Sequence, residues 1–184
     1  ADTSELVFTR GTTEAINLVA GSWATANLKA GDEILISVLE HHANIVPWQM
    51  LCERIGTHLR VADVTDAGDL TLAAVESAIT PNTRLVAMTC VSNALGTVTP
   101  IADICALAKS RGLVSLVDAA QMVPHMPVDF HSLGCDFFAF SGHKMYGPTG
   151  IGGLLARSEM LASMPPWQGG GDMIRTVTME GSTW

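Results

Sequence analysis

The chain has 184 residues, 48% of them hydrophobic and 15% charged, and a formal net charge of −8. That length can bury a sizeable core as one large domain, and the apolar excess calls for a buried sheet, with surface left for further chain or a second subunit to cover. The acidic balance and the scattered lysines and arginines argue against nucleic acid or an anionic membrane as main partner, and no apolar run reaches the length of a membrane span.

In chain order, short apolar or β-branched runs alternate with helix-length periodic segments. Strands are predicted at residues 6–9, 33–37, 58–61, 85–89, 113–117, 137–141 and 153–156, and helices at 13–26, 45–55, 70–78, 101–110 and 158–163. The alternation predicts an α/β fold, a mostly parallel sheet with helices on both faces. Asp69 reads as an N-cap, Thr80-Pro81 as a stop, Pro100 as a helix start, and Gly56 and Gly112 as left-handed C-caps. Between residues 141 and 153 the turn Gly147-Pro148-Thr149-Gly150 is too short for a helical crossover, so its flanking strands should be antiparallel and the sheet mixed. The four cysteines, Cys52, Cys90, Cys105 and Cys135, form no CxxC pair. They read as free thiols of a cytoplasmic protein. Ala1 reads as the end of a loop and Trp184 closes a polar stretch, so a piece of a longer protein is expected.

Four short constellations carry chemistry, and each sits where a strand ends. Asp118 closes a strand at the edge where open α/β sheets bind ligands; it could grip a metal, orient a histidine, stabilise a protonated ring nitrogen, or simply cap a helix. In Ser141-Gly142-His143-Lys144, an apolar strand followed by a tight turn can hold the lysine partly desolvated, which favours the neutral, nucleophilic amine; the alternative is a solvated surface lysine. Arg10-Gly11-Thr12-Thr13-Glu14 opens a helix with amides and hydroxyls suited to a phosphate, or with a plain N-cap. Glu40-His41-His42-Ala43-Asn44 has no metal-ligand spacing; its histidine suits stacking on a ring, or a structural role. Phosphate cradle, stacking ring, carboxylate and amine form the inventory of a pyridoxal enzyme.

Five segments then carry a resemblance: TRGTTEAINLVA, EHHANIVPW, VSNALGT, VDAAQ and SGHKMYGPTGIGGL. In this order, from Leu6 to the Gly169-Gly170-Gly171 run, the chain resembles the cysteine desulfurases of the sulfur-mobilisation group and selenocysteine lyase, within the class V aminotransferase family. The resemblance implies the large cofactor-binding domain of a fold type I pyridoxal-phosphate enzyme, residues 1–184 being part of it, without the N-terminal segment or the C-terminal small domain.

It also implies roles. Lys144 would carry pyridoxal 5'-phosphate as a Schiff base and act as base and acid. Asp118 would hold the pyridine nitrogen protonated, Gln121 would bond the ring hydroxyl, and His41 would stack on the ring. Thr13, Ser141 and His143 would bind the phosphate with Thr12 close by, and Asn93 would lie near the substrate carboxylate. The expected reaction takes sulfur from L-cysteine, or selenium from selenocysteine, and leaves alanine, with the sulfur passing as a persulfide toward iron–sulfur clusters or other acceptors. A homodimer and a sulfur-acceptor protein are the implied partners.

The chain departs from that family in two respects. None of its cysteines matches the sulfur-accepting position, and the arginine expected to clamp the substrate carboxylate is absent; on its own the chain is expected to be inactive. Three other readings compete. Ser141-x-x-Lys144 matches the SxxK of penicillin-recognising serine hydrolases, but it leaves a strand rather than opening a helix, and no SDN or KTG follows. A kynureninase, an epimerase or another β-lyase of class V is the nearer rival. The third is an inactive fold fragment.

Overall fold

The computed structural model describes residues 2–184; Ala1, read above as the end of a loop, lies outside them. Strands form at β1 (Leu6–Thr9), β2 (Glu33–Ser37), β3 (His58–Ala62), β4 (Thr83–Thr89), β5 (Val114–Asp118), β6 (Phe137–Ser141) and β7 (Gly152–Ala156), with a small hairpin of β8 (Thr176–Val177) and β9 (Ser182–Thr183). The helices are α1 (Thr12–Val19), α2 (Thr25–Asn27), α3 (Val46–Ile55), α4 (Leu72–Ala78), α5 (Ile101–Ser110), α6 (Phe130–Leu133) and α7 (Ser158–Ser163).

The seven long strands form one sheet in the order β1-β7-β6-β5-β4-β2-β3. Neighbours from β3 to β6 pair in parallel, while β7 runs against both β6 and β1. Reversing twice leaves β1 running with the parallel set, so β7 alone is reversed. The sheet is thus mostly parallel and mixed, as the short turn before β7 predicts. The carboxyl ends of β1, β2, β4, β5 and β6 consequently lie along one edge.

Side-chain alternation assigns the two faces. Ile34, Ile36, Leu85, Ala87, Leu116, Phe137 and Leu154 pack on one side with Trp23 of the segment after α1 and Trp48 of α3. Leu35, Val86, Met88, Val117 and Phe138 pack on the other with α4, α5 and α6. A period of two with both faces apolar is what a sheet covered by helices requires. Cys90, Cys105 and Cys135 are buried in the second cluster, and all four thiols are free.

Two local expectations change. The predicted helix at 13–26 is three pieces, because Ala20–Ala24 forms a π-helical turn between α1 and α2. There Gly21 leaves room for the Trp167 indole, whose Nε1 would stand 3.0 Å from an added Cβ. The fourth helix is capped by Thr71, whose side chain accepts from Ala74 N, and not by Asp69. The hydroxyl lies one residue before the first helical turn, where it can reach the N3 amide; Asp69 lies too far upstream. Gly56 closes α3 in the left-handed conformation, as predicted.

Gly152 sets how closely β7 approaches the start of α1. A Cβ there would collide with Phe140 O and stand 2.6 Å from Gly11 Cα. Both obstacles are backbone, which cannot rotate away. Gly152→Ala is therefore expected to cost about 1–3 kcal/mol, the range of an overpacked core, read as a lower urea midpoint with an unchanged slope. An unchanged midpoint would mean that the contact relaxes freely.

Candidate active site

The common carboxyl edge gathers the four constellations. The side chains of Thr12, Thr13, Ser141 and His143 meet His41, Asn93, Asp118, Gln121 and Lys144 around one cavity of about 600 Å³. All nine residues expected at the site line it. Ala43, Thr89, Val91 and Ala120 complete the wall; Thr89, Val91 and Ala120 lie at or just after strand ends and Ala43 in the 3₁₀ turn His42–Asn44, and only the topology could have identified them.

The loop from β1 into α1 makes one side. Gly11 has φ of +149°, which disfavours any side chain, and a Cβ would stand 3.0 Å from Ser141 Oγ. That closeness lets Thr12 N donate to Ser141 Oγ at 2.8 Å, with the Thr12 hydroxyl at the same distance. The plain N-cap alternative does not hold. The N-cap is Gly11, which has no side chain to cap α1, and Glu14 instead accepts from Arg10 N and pairs with the Arg10 guanidinium. The amides of Thr13 and Glu14, the next two of α1, thus keep free capacity toward an anion. Ser141→Ala would strand the buried Thr12 N–H and is expected to cost about 1–3 kcal/mol in urea unfolding; a loss below about 0.5 kcal/mol would show that water replaces the hydroxyl.

Asp118 ends β5 at 3% exposure. Its Oδ1 accepts from Ala120 N at 3.0 Å, and no other hydrogen bond from a described residue reaches the carboxyl group. Burial raises its pKa, while the Ala120 bond and the Lys144 charge oppose the rise. Capping is thus only part of its work: one oxygen closes a turn, and the group also lines the cavity.

His41 accepts from Ala43 N through Nδ1 at 3.1 Å, so in its neutral form the ring carries its proton on Nε2. Burial lowers its pKa, and His42 and Lys144 lower it further. The His42 ring packs against it at a centroid distance of 3.8 Å. Lys144 is half-buried, in the 3₁₀ turn Gly142–Lys144 that follows β6.

Behind the cavity lies Glu40, at 8% exposure, which sequence reading left unassigned. Burial pushes its carboxyl up to about 7, against hydrogen bonds from Ser37, Asn44 and Thr89, and Asp118 adds to the rise. A lone carboxylate between an apolar strand and a histidine pair was the available signal. Among the described residues, no group of three or more His, Cys, Asp or Glu side chains is placed to hold a metal ion.

The side chains of Thr13, Asn93, Gln121, His143 and Lys144 make no hydrogen bond to any described residue. Five polar groups with unspent donors and acceptors around one cavity, beside a buried carboxyl group, define a ligand-binding α/β domain with its site at the carboxyl edge of the sheet.

Comparison with known proteins places this domain in a family. The aminotransferase class-V family matches residues 1–184, and the chain belongs to it. It is 60% identical over 181 residues to a cysteine desulfurase of Klebsiella pneumoniae, covering 98% of this chain and 45% of that protein. Among solved structures it is similar to the cysteine desulfurase CsdA from Escherichia coli, with a TM-score of 0.95 and 44% identity over 99% of this chain and 46% of that one. It is also similar to the cystine C–S lyase C-DES in complex with cysteine persulfide, with a TM-score of 0.86 and 29% identity over 98% of this chain and 48% of that one. The fold is therefore that of the fold type I pyridoxal-phosphate enzymes, and the chain spans about half the length of the relatives it matches.

Proposed function

We propose that this chain is the cofactor-binding core of a pyridoxal-phosphate-dependent cysteine desulfurase, which takes sulfur from L-cysteine and leaves alanine. The observation that carries the proposal is the convergence of an unpaired lysine, a buried carboxyl group and a helix start with free amides on one cavity. The donor set fits the cofactor at each end. The α1 amides with Thr12, Thr13, Ser141 and His143 suit a phosphate, the Asp118 carboxylate suits a protonated ring nitrogen, and the Gln121 amide suits a ring hydroxyl.

When bound, pyridoxal phosphate supplies a carbonyl carbon that links to amines and a ring that delocalises the electrons of a broken bond. Lys144 would hold the group covalently through Nζ. Once released, the same amine would take a proton from the substrate Cα and return one during turnover. Asp118, as a buried anion, would keep the ring nitrogen protonated through a charge-assisted bond. His41, its pKa lowered, offers a neutral flat ring rather than a second cation. Asn93 would bond the substrate carboxylate.

The sulfur-accepting thiol is proposed to lie outside these residues. Cys90, Cys105 and Cys135 are buried; burial raises the thiol pKa of Cys90 to about 11, and the Cys105 side chain, with burial, raises that of Cys135. Cys52, on α3, packs against the core and accepts a hydrogen bond from Thr57. Neither Cys90 nor Cys135 is a ready thiolate. A small domain elsewhere in the protein, a homodimer, a sulfur-acceptor protein and a cytoplasmic location belong to the same proposal. Exposed apolar side chains such as Phe8, Met50 and Trp184 favour cover by further chain or a partner, and the free thiols favour a reducing compartment. No described helix is long and apolar enough to cross a membrane.

The test is product analysis of the full-length enzyme loaded with pyridoxal phosphate and given L-cysteine. Alanine with an equal yield of sulfide under reductant is the expected result. Pyruvate and ammonia in place of alanine would identify a β-lyase instead.

A further inference from the structure

The ends of β2 and β4 part company just below the cavity. The two strands pair only from Glu33 to Leu35, so Ile36 and Ser37 have no partner on β4. A parted ladder leaves backbone groups that must be satisfied in some other way. Here two side chains from the turn after β2 serve. Asn44 Nδ2 donates to Ala87 O at 3.2 Å, and Glu40 Oε1 accepts from Thr89 N at 3.0 Å.

The Glu40 carboxyl is held from three directions. Its Oε1 also accepts from Ser37 Oγ at 2.6 Å, and its Oε2 from Asn44 Nδ2 at 2.7 Å. The Asn44 amide cannot be turned round, because Trp48 Nε1, a donor only, occupies Asn44 Oδ1 at 2.9 Å. The bolt reaches both sides of the site. His41 is the next residue in the chain, and its carbonyl accepts from Asn44 N at 2.7 Å. Thr89 stands beside Asp118 in the β4–β5 register.

We propose that Glu40 is a positioning residue of this site, whose carboxyl group fixes His41 relative to Asp118 across the parted ends of β2 and β4. It does not line the cavity and acts only through its neighbours. A glutamine in its place is a poor substitute, since its amide N–H would face one of the donors Thr89 N or Asn44 Nδ2. The packed elements face Glu40 with Ser37, Asn44 and Thr89, and Asp118 on β5 is the ionisable group that acts on it.

The consequence for the cofactor rests on the reading of the cavity given above; the consequence for His41 does not. The experiment therefore has two arms, both on the full-length enzyme and its Glu40→Gln variant. In the cofactor-free protein with ¹³C-labelled histidine, the His41 resonance, assigned by His41→Gln, is followed against pH. The wild type is expected to show, besides its own titration, a second inflection near pH 7 from Glu40; Glu40→Gln should shift the resonance and lose that inflection. In the second arm, Glu40→Gln should bind pyridoxal phosphate roughly 10-fold more weakly or worse, with altered circular dichroism of the bound cofactor band. If Glu40→Gln does not fold, Ser37→Ala removes one of the three donors and should move the same signals less. A His41 resonance and titration unchanged in the folded variants would overturn the proposal. Absence of a cofactor band in the wild type would instead sink the reading of the cavity, leaving the His41 arm to decide on Glu40.

Discussion

Lys144→Ala is expected to abolish the yellow band of the enzyme with pyridoxal phosphate and to lower the rate of alanine formation by at least roughly 10²–10⁴-fold, the contribution of a positioned acid or base. The reason is its isolation. The ammonium makes no hydrogen bond and no ion pair with any described residue, yet it is half-buried in the wall of a cavity beside Asp118 and His41. A lysine that served the fold would be expected to have a partner. Removing this one should leave urea unfolding within about 0.5 kcal/mol of the wild type. Lost activity with retained stability is the signature. A fall in stability of several kcal/mol would instead assign Lys144 a structural role.

Asp118→Ala is expected to change binding and stability in opposite directions. Truncating one partner of a buried, hydrogen-bonded charge pair costs about 2–5 kcal/mol, so affinity for pyridoxal phosphate should fall by tens to thousands of fold. The cofactor-free protein should respond differently, because there the carboxyl group is buried without a cationic hydrogen-bond partner. Its folded pKa lies above its unfolded one. Its contribution to stability is therefore present in full below the unfolded value, and it declines as pH rises through the folded value. Relative to the wild type, the variant should therefore gain stability as pH rises, compared at pH 4 and pH 8, offset by about 1 kcal/mol for the lost bond to Ala120. Urea unfolding at the two pH values, alongside a cofactor titration, checks both signs. Equal affinity in the variant would refute the pyridinium role.

How much of this was legible in the sequence follows from the range of each signal. Strand and helix periodicity is local, so β1, β2, β6, α5 and α7 lie within the predicted bounds, and the short turn before β7 gave away the one reversed strand. The π turn after α1 was not legible; the indole that sits against its Gly21 is that of Trp167, far along the chain. Nor were α6, only four residues long and too short for a period, and the β8–β9 hairpin. At the site, residues that open or close an element on the carboxyl edge could be found because their positions carry meaning. The joint part of Thr89 and Glu40 could not, since it depends on β2 and β4 diverging, a property of the sheet as a whole.

Borohydride reduction of the loaded full-length enzyme followed by peptide mass spectrometry tests most directly whether Lys144 holds the cofactor. The expected result is a single pyridoxyl adduct on the peptide that contains Lys144. An adduct on Lys29 or Lys109, or none on a protein that retains activity, would contradict it.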